Sequence, residues 1–475
     1  MKNKFILLNA FVILLSGCHR FYIPLPPNMD YPTKTREGIR YVANEPDLNH
    51  KAWWRKINDN DLNQLIARAL ACNNQIRSAN ETIIEAQAQL KAAQFAWIPT
   101  LDAKVNGFTG GTWNANIQPM GSLAATSIFS NISNLRFRGY YAGFAPGYTF
   151  NILNNVSNVK AANASLAVKA AQAQTMRLSI IGQTTGAYFM LLSQREQLAI
   201  ERELNNDIKK LHRLERARFT SGANDIEITT NIEQQIAQEE AKIPQIEKVI
   251  AQTENTVHLL INDNPGALKT HHSLLALNIK PLMLKSIPSS VLKERPDIMI
   301  ALNNIKMAHA QVGVAYSAFF PTIALTSLIG NASLDLTQLL KLSTTFWIAQ
   351  ANANAHIINA SSYQNIKVAK AALRTSYYDY IQTLRSAFAD VDDNVTNVEM
   401  NKRTYLQTSK AYFAAQKTFN IAMTQYKAGA KDYRNVVNAK INLERAKLRL
   451  VQEKAQLLDS LVQVYTALAG GADVG

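Results

Sequence analysis

Two cysteines, a histidine pair and a run of aspartates are the side chains in this sequence whose type and spacing invite chemistry. Cys72 would act as a nucleophile or metal ligand only as an accessible thiolate. It falls instead inside an apolar three-four alternation, Leu62, Leu65, Ala69, Cys72, Ile76 and Ala79, which makes it a small buried hydrophobe. His271-His272 offers imidazoles to a metal, but no His-Glu-x-x-His or Cys-x-x-Cys pattern occurs with it, and a solvated pair is expected. Asp390, Asp392 and Asp393 could supply a general acid and base, yet on a long amphipathic helix they read as a solvated face. No phosphate-cradling glycine loop or nucleophile elbow is present. The expectation is a chain that is not an enzyme and takes no cofactor or metal.

Cys18 has a different chemistry. Lys2 and Lys4 ahead of the apolar Phe5–Leu15 read as an export signal. The step Leu15-Ser16-Gly17-Cys18 resembles the lipobox of bacterial lipoproteins. That implies cleavage before Cys18 and a covalent lipid on the new first residue; an ordinary signal peptide with an incidental cysteine, or a signal anchor, is the alternative. His19 stands where an Asp would resemble an inner-membrane retention signal, so the outer membrane is the expected destination. After processing Cys72 is the one thiol left, which excludes an internal disulfide. Lys plus Arg exceed Asp plus Glu by 15 in the full sequence. The charges are interspersed, without the basic stripe or signature of a nucleic-acid binder, so no nucleic-acid partner is expected. The mature sequence has no apolar run of 18 residues, so any passage through a bilayer must use strands.

The elements that would position these residues come in two copies. Asn74–Thr100 and Pro296–Thr322 lie 222 residues apart and share ten of 27 aligned positions. Phe219-Thr-Ser-Gly222-Ala-Asn-Asp225 and Tyr426-Lys-Ala-Gly429-Ala-Lys-Asp432 form a second pair, 207 apart. In each half an apolar seam, Leu62 to Trp97 or Ile298 to Phe319, predicts a helix that stops at Pro99 or Pro321. Beyond each proline the period changes to two. Tyr140, Ala142, Phe144, Pro146, Tyr148 and Phe150 alternate with glycine and polar residues, as Ala349, Ala351 and Ala353 do with Gln350, Asn352 and Asn354. Each half therefore predicts one hairpin of strands about ten residues long, with a lipid-ready face and a polar one. The tips fall at Thr112–Gly139 and Asn331–Ser343. Long helices follow, near Val156–Phe219 and Ser361–Tyr426, each on the order of 90 Å. Gly222 and Gly429 reverse the chain into return helices, the first interrupted by Pro244 and carrying Glu239 and Thr253 as polar breaks.

The chain thus divides into a signal peptide at 1–17, a lipid-anchored, proline-rich extended segment at 18–60, and a first repeat at 61–262 with its hairpin at about 100–152. An interhalf linker at 263–293 leads to a second repeat at 294–471, its hairpin at about 322–357. The fold class is mainly α with a small β part, in duplicated helix–hairpin–helix halves. Four strands cannot close a barrel, and open edges cannot stay in lipid. Three chains would give twelve strands, enough for a lumen lined by Gln350, Asn352 and Asn354.

The paired halves, the Arg295-Pro296-Asp297-Ile298 start of the second half and the Phe219-x-x-Gly222 and Tyr426-x-x-Gly429 turns resemble the TolC family of outer-membrane efflux proteins. With the lipobox, the sequence is similar to its lipoprotein NodT-type branch. The resemblance implies a homotrimer forming a 12-stranded β-barrel in outer-membrane lipid on a long α-helical barrel, with the interhalf linker as the equatorial region. It implies a periplasmic adaptor protein and an inner-membrane pump as partners, docking at the helical turns marked by Gly222, Asp225 and Gly429. It also implies a periplasmic gate near Tyr426, Gly429, Lys431, Asp432, Asn435 and Asn438. Family members usually carry Asp at the last two positions, so the Asn residues here retain a constriction without its negative charge; Asp225 and Asp432 are the nearest acids. The implied function is the exit duct of a tripartite efflux system. An outer-membrane duct for type I protein secretion and a pore-less structural envelope lipoprotein are the alternatives.

Overall fold

The structure is a computed structural model that describes residues 33–42, 50–111, 136–223, 225–283, 286–288, 295–341, 345–356 and 358–468. The export signal, Cys18, the first hairpin tip at 112–135 and Asn224 lie outside the described residues. The chain runs β1 (Arg40–Val42), a 3-10 segment (His50–Ile57), α1 (Asn60–Cys72), α2 (Asn74–Phe95), β2 (Thr100–Gly111), β3 (Arg136–Phe150), α3 (Ile152–Thr220) and α4 (Ile226–Leu260). Two 3-10 turns (Leu274–Ala276, Lys280–Leu282) and β4 (Ser286–Pro288) lead into α5 (Pro296–Ser317), β5 (Thr322–Ser333), β6 (Thr345–Asn354), α6 (Ala360–Lys427) and α7 (Tyr433–Ala467). The duplication is visible in the bounds: α2 and α5, and β2 and β5, begin and end 222 residues apart. Two compact units form, and they cut across the repeats. One takes the chain up to Ile84, Ala167–Ile305 and the chain from Ser376; the other takes Glu85–Leu166 and Lys306–Thr375.

In both halves the first helix stops four residues earlier than the proline, at Phe95 and at Ser317. A proline ring collides with the carbonyl four residues back, so that carbonyl belongs to the last helical residue. The seam expected to run unbroken from Leu62 to Trp97 is also interrupted. Asn73 adopts an extended backbone (φ −62°, ψ 128°), its N–H closes α1 on the Ala69 carbonyl, and its Oδ1 accepts from the Gln75 and Ile76 N–H groups that open α2. Its side-chain amide donates to the Leu260 carbonyl at 2.9 Å. Cys72 therefore ends a helix and is half-buried, where the seam had placed it in the interior.

The helical unit has one large core from all its parts, with Tyr188, Ile200, Val257, Leu457 and Tyr465 among its buried side chains. The segment read as an extended tether contributes to it. Trp53, Trp54 and Ile57 are buried, and Trp53 stacks on Tyr465 with ring centroids 4.8 Å apart. β1 pairs in parallel with β4 of the linker. Glu239 and Thr253, read as polar breaks in the return seam, are buried: Thr253 donates to the Val249 carbonyl, and Glu239 takes Lys242 at 2.5 Å. α4 continues through Pro244 to Leu260.

The second unit holds a four-stranded antiparallel sheet in the order β2-β3-β5-β6. The strands are longer than the pattern predicted, 12 residues in β2 and β5 and 15 in β3. Asn151 joins the sheet to its helices: Oδ1 accepts from Asn154 N–H to cap α3, and the amide donates to the Ser317 carbonyl at the end of α5. Asn359 caps α6 through Ser362 N–H in the same way.

Candidate functional site: a two-faced sheet and paired helical turns

Directly paired strand residues share a face, so the register sorts the sheet's side chains. Leu101, Val105, Phe144, Leu325, Ile329 and Trp347 fall on one side, with Phe144 60% and Trp347 75% exposed. The opposite side carries Asp102, Lys104, Asn106, Tyr141, Thr326, Gln350 and Asn352, with the apolar Phe108, Leu328 and Ile348 among them. On it the Asn106 amide donates to the Tyr141 hydroxyl, and the Gln350 amide to Asn352 Oδ1 at 3.4 Å. Asp102, Lys104 and Asn106 were not singled out in the sequence, although Asp-Ala-Lys-Val-Asn alternates visibly there. Among the described residues β2 and β6 each pair with one strand only, which leaves a row of unsatisfied backbone groups on both edges.

The helical unit presents the two chain reversals. Gly222 (φ 74°) and Gly429 (φ 72°) adopt the left-handed conformation that closes a helix end. Ala223 N–H reaches the Arg218 carbonyl and Ala430 N–H the Gln425 carbonyl, at 2.8 and 2.9 Å, satisfying carbonyls the helices leave over. Asp225 then caps α4 through Glu227 N–H, and Asp432 caps α7 through Arg434 N–H.

Three charged residues missed by the sequence reading, Arg218, Glu215 and Arg434, tie the reversals together. Arg218, at the end of α3, donates to Asp432 Oδ2 at 3.1 Å. Glu215, only 2% exposed, is approached by Arg434 at 3.5 Å and by Arg218 at 3.8 Å. The available signal was position alone, since Arg218 immediately precedes the repeated Phe219-x-x-Gly222. Of the residues expected at a gate, the Tyr426 ring lies 5.0 Å from that of Tyr433, and Asn435 is half-buried in the first turn of α7. Lys431 and Asn438 are exposed. Asp432, considered as a substitute acid, spends its carboxylate on the cap and on Arg218.

The histidine pair is exposed and the aspartates half-buried or exposed, as the sequence suggested, but most of them also hold partners. His271 bonds Asp61 through its backbone N–H at 2.8 Å and through Nδ1 at 3.2 Å, and His272 Nε2 stands 3.8 Å from Asp59 Oδ1. Burial opposes ionisation of Asp61, but the hydrogen bonds from His271 outweigh it and hold the carboxyl below its ordinary range. Asp390 accepts from Arg295 at 3.0 Å and Asp392 from the Arg36 N–H at 2.7 Å, so both hold other segments against α6. A groove of about 690 Å³ beside Arg295 is lined by Gly182, Gly186, Asp390, Asp459 and Gln463. Its guanidinium is spent on Asp297, Asp390 and the Ala467 carbonyl. Among the described residues no helix is long and apolar enough to cross a membrane.

A sequence model of the family described as outer membrane efflux protein matches residues 65–263 and 287–470. The cation efflux system protein CusC of Escherichia coli K12 is 28% identical over 384 residues, 80% of each chain. The probable outer membrane lipoprotein SilC of Salmonella typhimurium is 25% identical over 393 residues, 81% of this chain and 80% of that one. Among solved structures, the Campylobacter jejuni CmeC outer membrane channel superposes with a TM-score of 0.76 at 21% identity, over 94% of this chain and 95% of that one.

Proposed function

The chain belongs to the outer membrane efflux protein family, and on that premise we propose that it is the outer-membrane exit duct of a tripartite efflux system. In this reading it is a passive homotrimeric channel, with no catalytic step of its own, that carries small molecules from periplasm to exterior. The observation that carries the reading is the sheet: one largely apolar face, an opposite face that holds the charged and amide side chains, and two open edges. In hydrocarbon each unsatisfied backbone group costs several kcal/mol, so both edges must find partners. A second and a third copy supply them, and twelve strands close with the apolar face towards lipid. Asp102, Lys104, Asn106 and Gln350 then face the lumen and keep it wet.

The helical turns suit a periplasmic adaptor that brings an inner-membrane pump to the duct, and a lipid on Cys18 would add an anchor beside the barrel. CusC and SilC, the former named for cation efflux, favour small cargo over a secreted protein. A pore-less spacer has no use for an exposed aromatic sheet face.

The test is the mass and conductance of the purified full chain. Three protomers per particle and discrete single-channel steps in planar bilayers are expected. A detergent-solubilised monomer that is folded and conducts would overturn the reading. A strain without the protein that keeps its resistance to dyes, detergents and metals, but traps a secreted protein inside, would refute the cargo class.

A further inference from the structure

We propose that Asp59, Asp61 and His272 form a divalent-metal site, suited to zinc, that fastens the interhalf linker to the start of α1. The inference is independent of the transport reading. One ligand atom from each of the three residues lies within 4.8 Å of the other two. Asp59 is fully buried, and its carboxylate is fixed before any ion arrives: Oδ1 accepts from Leu62 N–H at 3.1 Å and Oδ2 from the Tyr188 hydroxyl at 2.7 Å. Asp61 is fixed in turn by His271, which donates its backbone N–H and places Nδ1 against the same carboxylate.

His272 completes the arrangement. Its Nε2 lies 3.8 Å from Asp59 Oδ1, too far for a hydrogen bond. That distance is shorter than the roughly 4.2 Å spanned by a zinc–nitrogen and a zinc–oxygen bond laid end to end. A cation seated between the two atoms bonds both with a small side-chain adjustment. Two carboxylates and an imidazole leave a fourth tetrahedral position for water. The imidazole selects a borderline ion such as Zn²⁺ over Mg²⁺ or Ca²⁺, which prefer all-oxygen sites. Tyr188 and His271 orient the ligating carboxylates from outside, the support that metal sites require. Asp61 and His271 are 210 residues apart in sequence, so a bound ion cross-links two distant segments. All four residues lie outside the two stretches that match the family, so the family match does not bear on the clasp.

The experiment uses the full chain, purified in detergent without a polyhistidine tag, stripped with a chelator and titrated with zinc sulfate by calorimetry. One zinc per protomer is expected, confirmed by elemental analysis, with an X-ray absorption shell of nitrogen and oxygen at about 2.0–2.1 Å. His272→Ala and Asp61→Asn should each abolish stoichiometric binding. His271→Ala removes no ligand and should weaken affinity by about 10- to 100-fold. His272 is part-exposed and Asp61→Asn is isosteric, and unchanged circular dichroism and particle mass verify that both variants fold. Three results would overturn the site: no binding at millimolar zinc, undiminished binding by folded His272→Ala, or sulfur in the absorption shell.

Discussion

The link between the two chain reversals makes the sharpest prediction. Glu215 is buried to 2% exposure and shares two arginines, Arg434 at 3.5 Å and Arg218 at 3.8 Å. Removing either arginine leaves the other to compensate, so Arg218→Ala and Arg434→Ala should each cost about 1 kcal/mol. The Arg218–Asp432 pair adds little, because both side chains are more than a third exposed and water screens them. Removing both arginines takes both of these cations from a buried carboxylate. The penalty for such a group is about 3–5 kcal/mol, and the exposed flank of this site places it at the lower end, about 3 kcal/mol. The double variant should therefore exceed the sum of the singles by about 1 kcal/mol. Hydrogen exchange reads this locally at the amides of Ala223 and Ala430, whose bonds close the turns. A loss of about 3 kcal/mol accelerates their exchange on the order of 100-fold. Adding Glu215→Gln to the double variant removes the buried charge and should restore most of the protection. Additive singles, or no rescue by glutamine, would refute the reasoning.

Gly429→Ala should cost about 1–2 kcal/mol through the backbone alone, since φ is +72° and nothing lies within 4 Å of the added methyl; hydrogen exchange at Ala430 measures it. Trp53→Ala empties a fully buried site stacked on Tyr465 and should lower stability by about 3–5 kcal/mol in denaturant titration, a small effect being inconsistent with the core assigned to this segment. Burial pulls Lys454 down to about 8, partly offset by Glu196, while its ammonium donates to the Leu275 and Leu277 carbonyls. The folded value lies below the unfolded one, so the unfolded chain holds the extra proton, and stability should rise between about pH 8 and 10.5 by up to about 3 kcal/mol; Lys454→Met should flatten that rise. Divalent cations should block the conducting trimer weakly, because Asn435 and Asn438 offer no carboxylates, and Asn435→Asp with Asn438→Asp should strengthen block in planar bilayers.

Periodicity, punctuation and duplication lie in the order of residues, so the sequence by itself determined the helices, the paired hairpins and the two reversals. The switch from a three-four step to a step of two marked the sheet, and the amphipathic strands required partners before any register was known. Gly222 and Gly429 announced positive φ because the following residues, Ala-Asn-Asp and Ala-Lys-Asp, restart a helix. What the sequence could not settle was which groups meet across long separations. Asn73 reads as one more helical residue until the Leu260 carbonyl is beside it. Trp53 reads as part of a proline-rich leader until Tyr465 stacks on it. Arg218 and Glu215 are ordinary surface-helix residues by composition, and nothing in the order of residues put Asp59 and Asp61 beside the exposed histidine pair. Local patterns encode which way a side chain points from its own backbone. The energy of a buried charge, a cap or a metal ligand depends on atoms a few ångströms away that arrive from far along the chain, and tertiary structure alone brings them there.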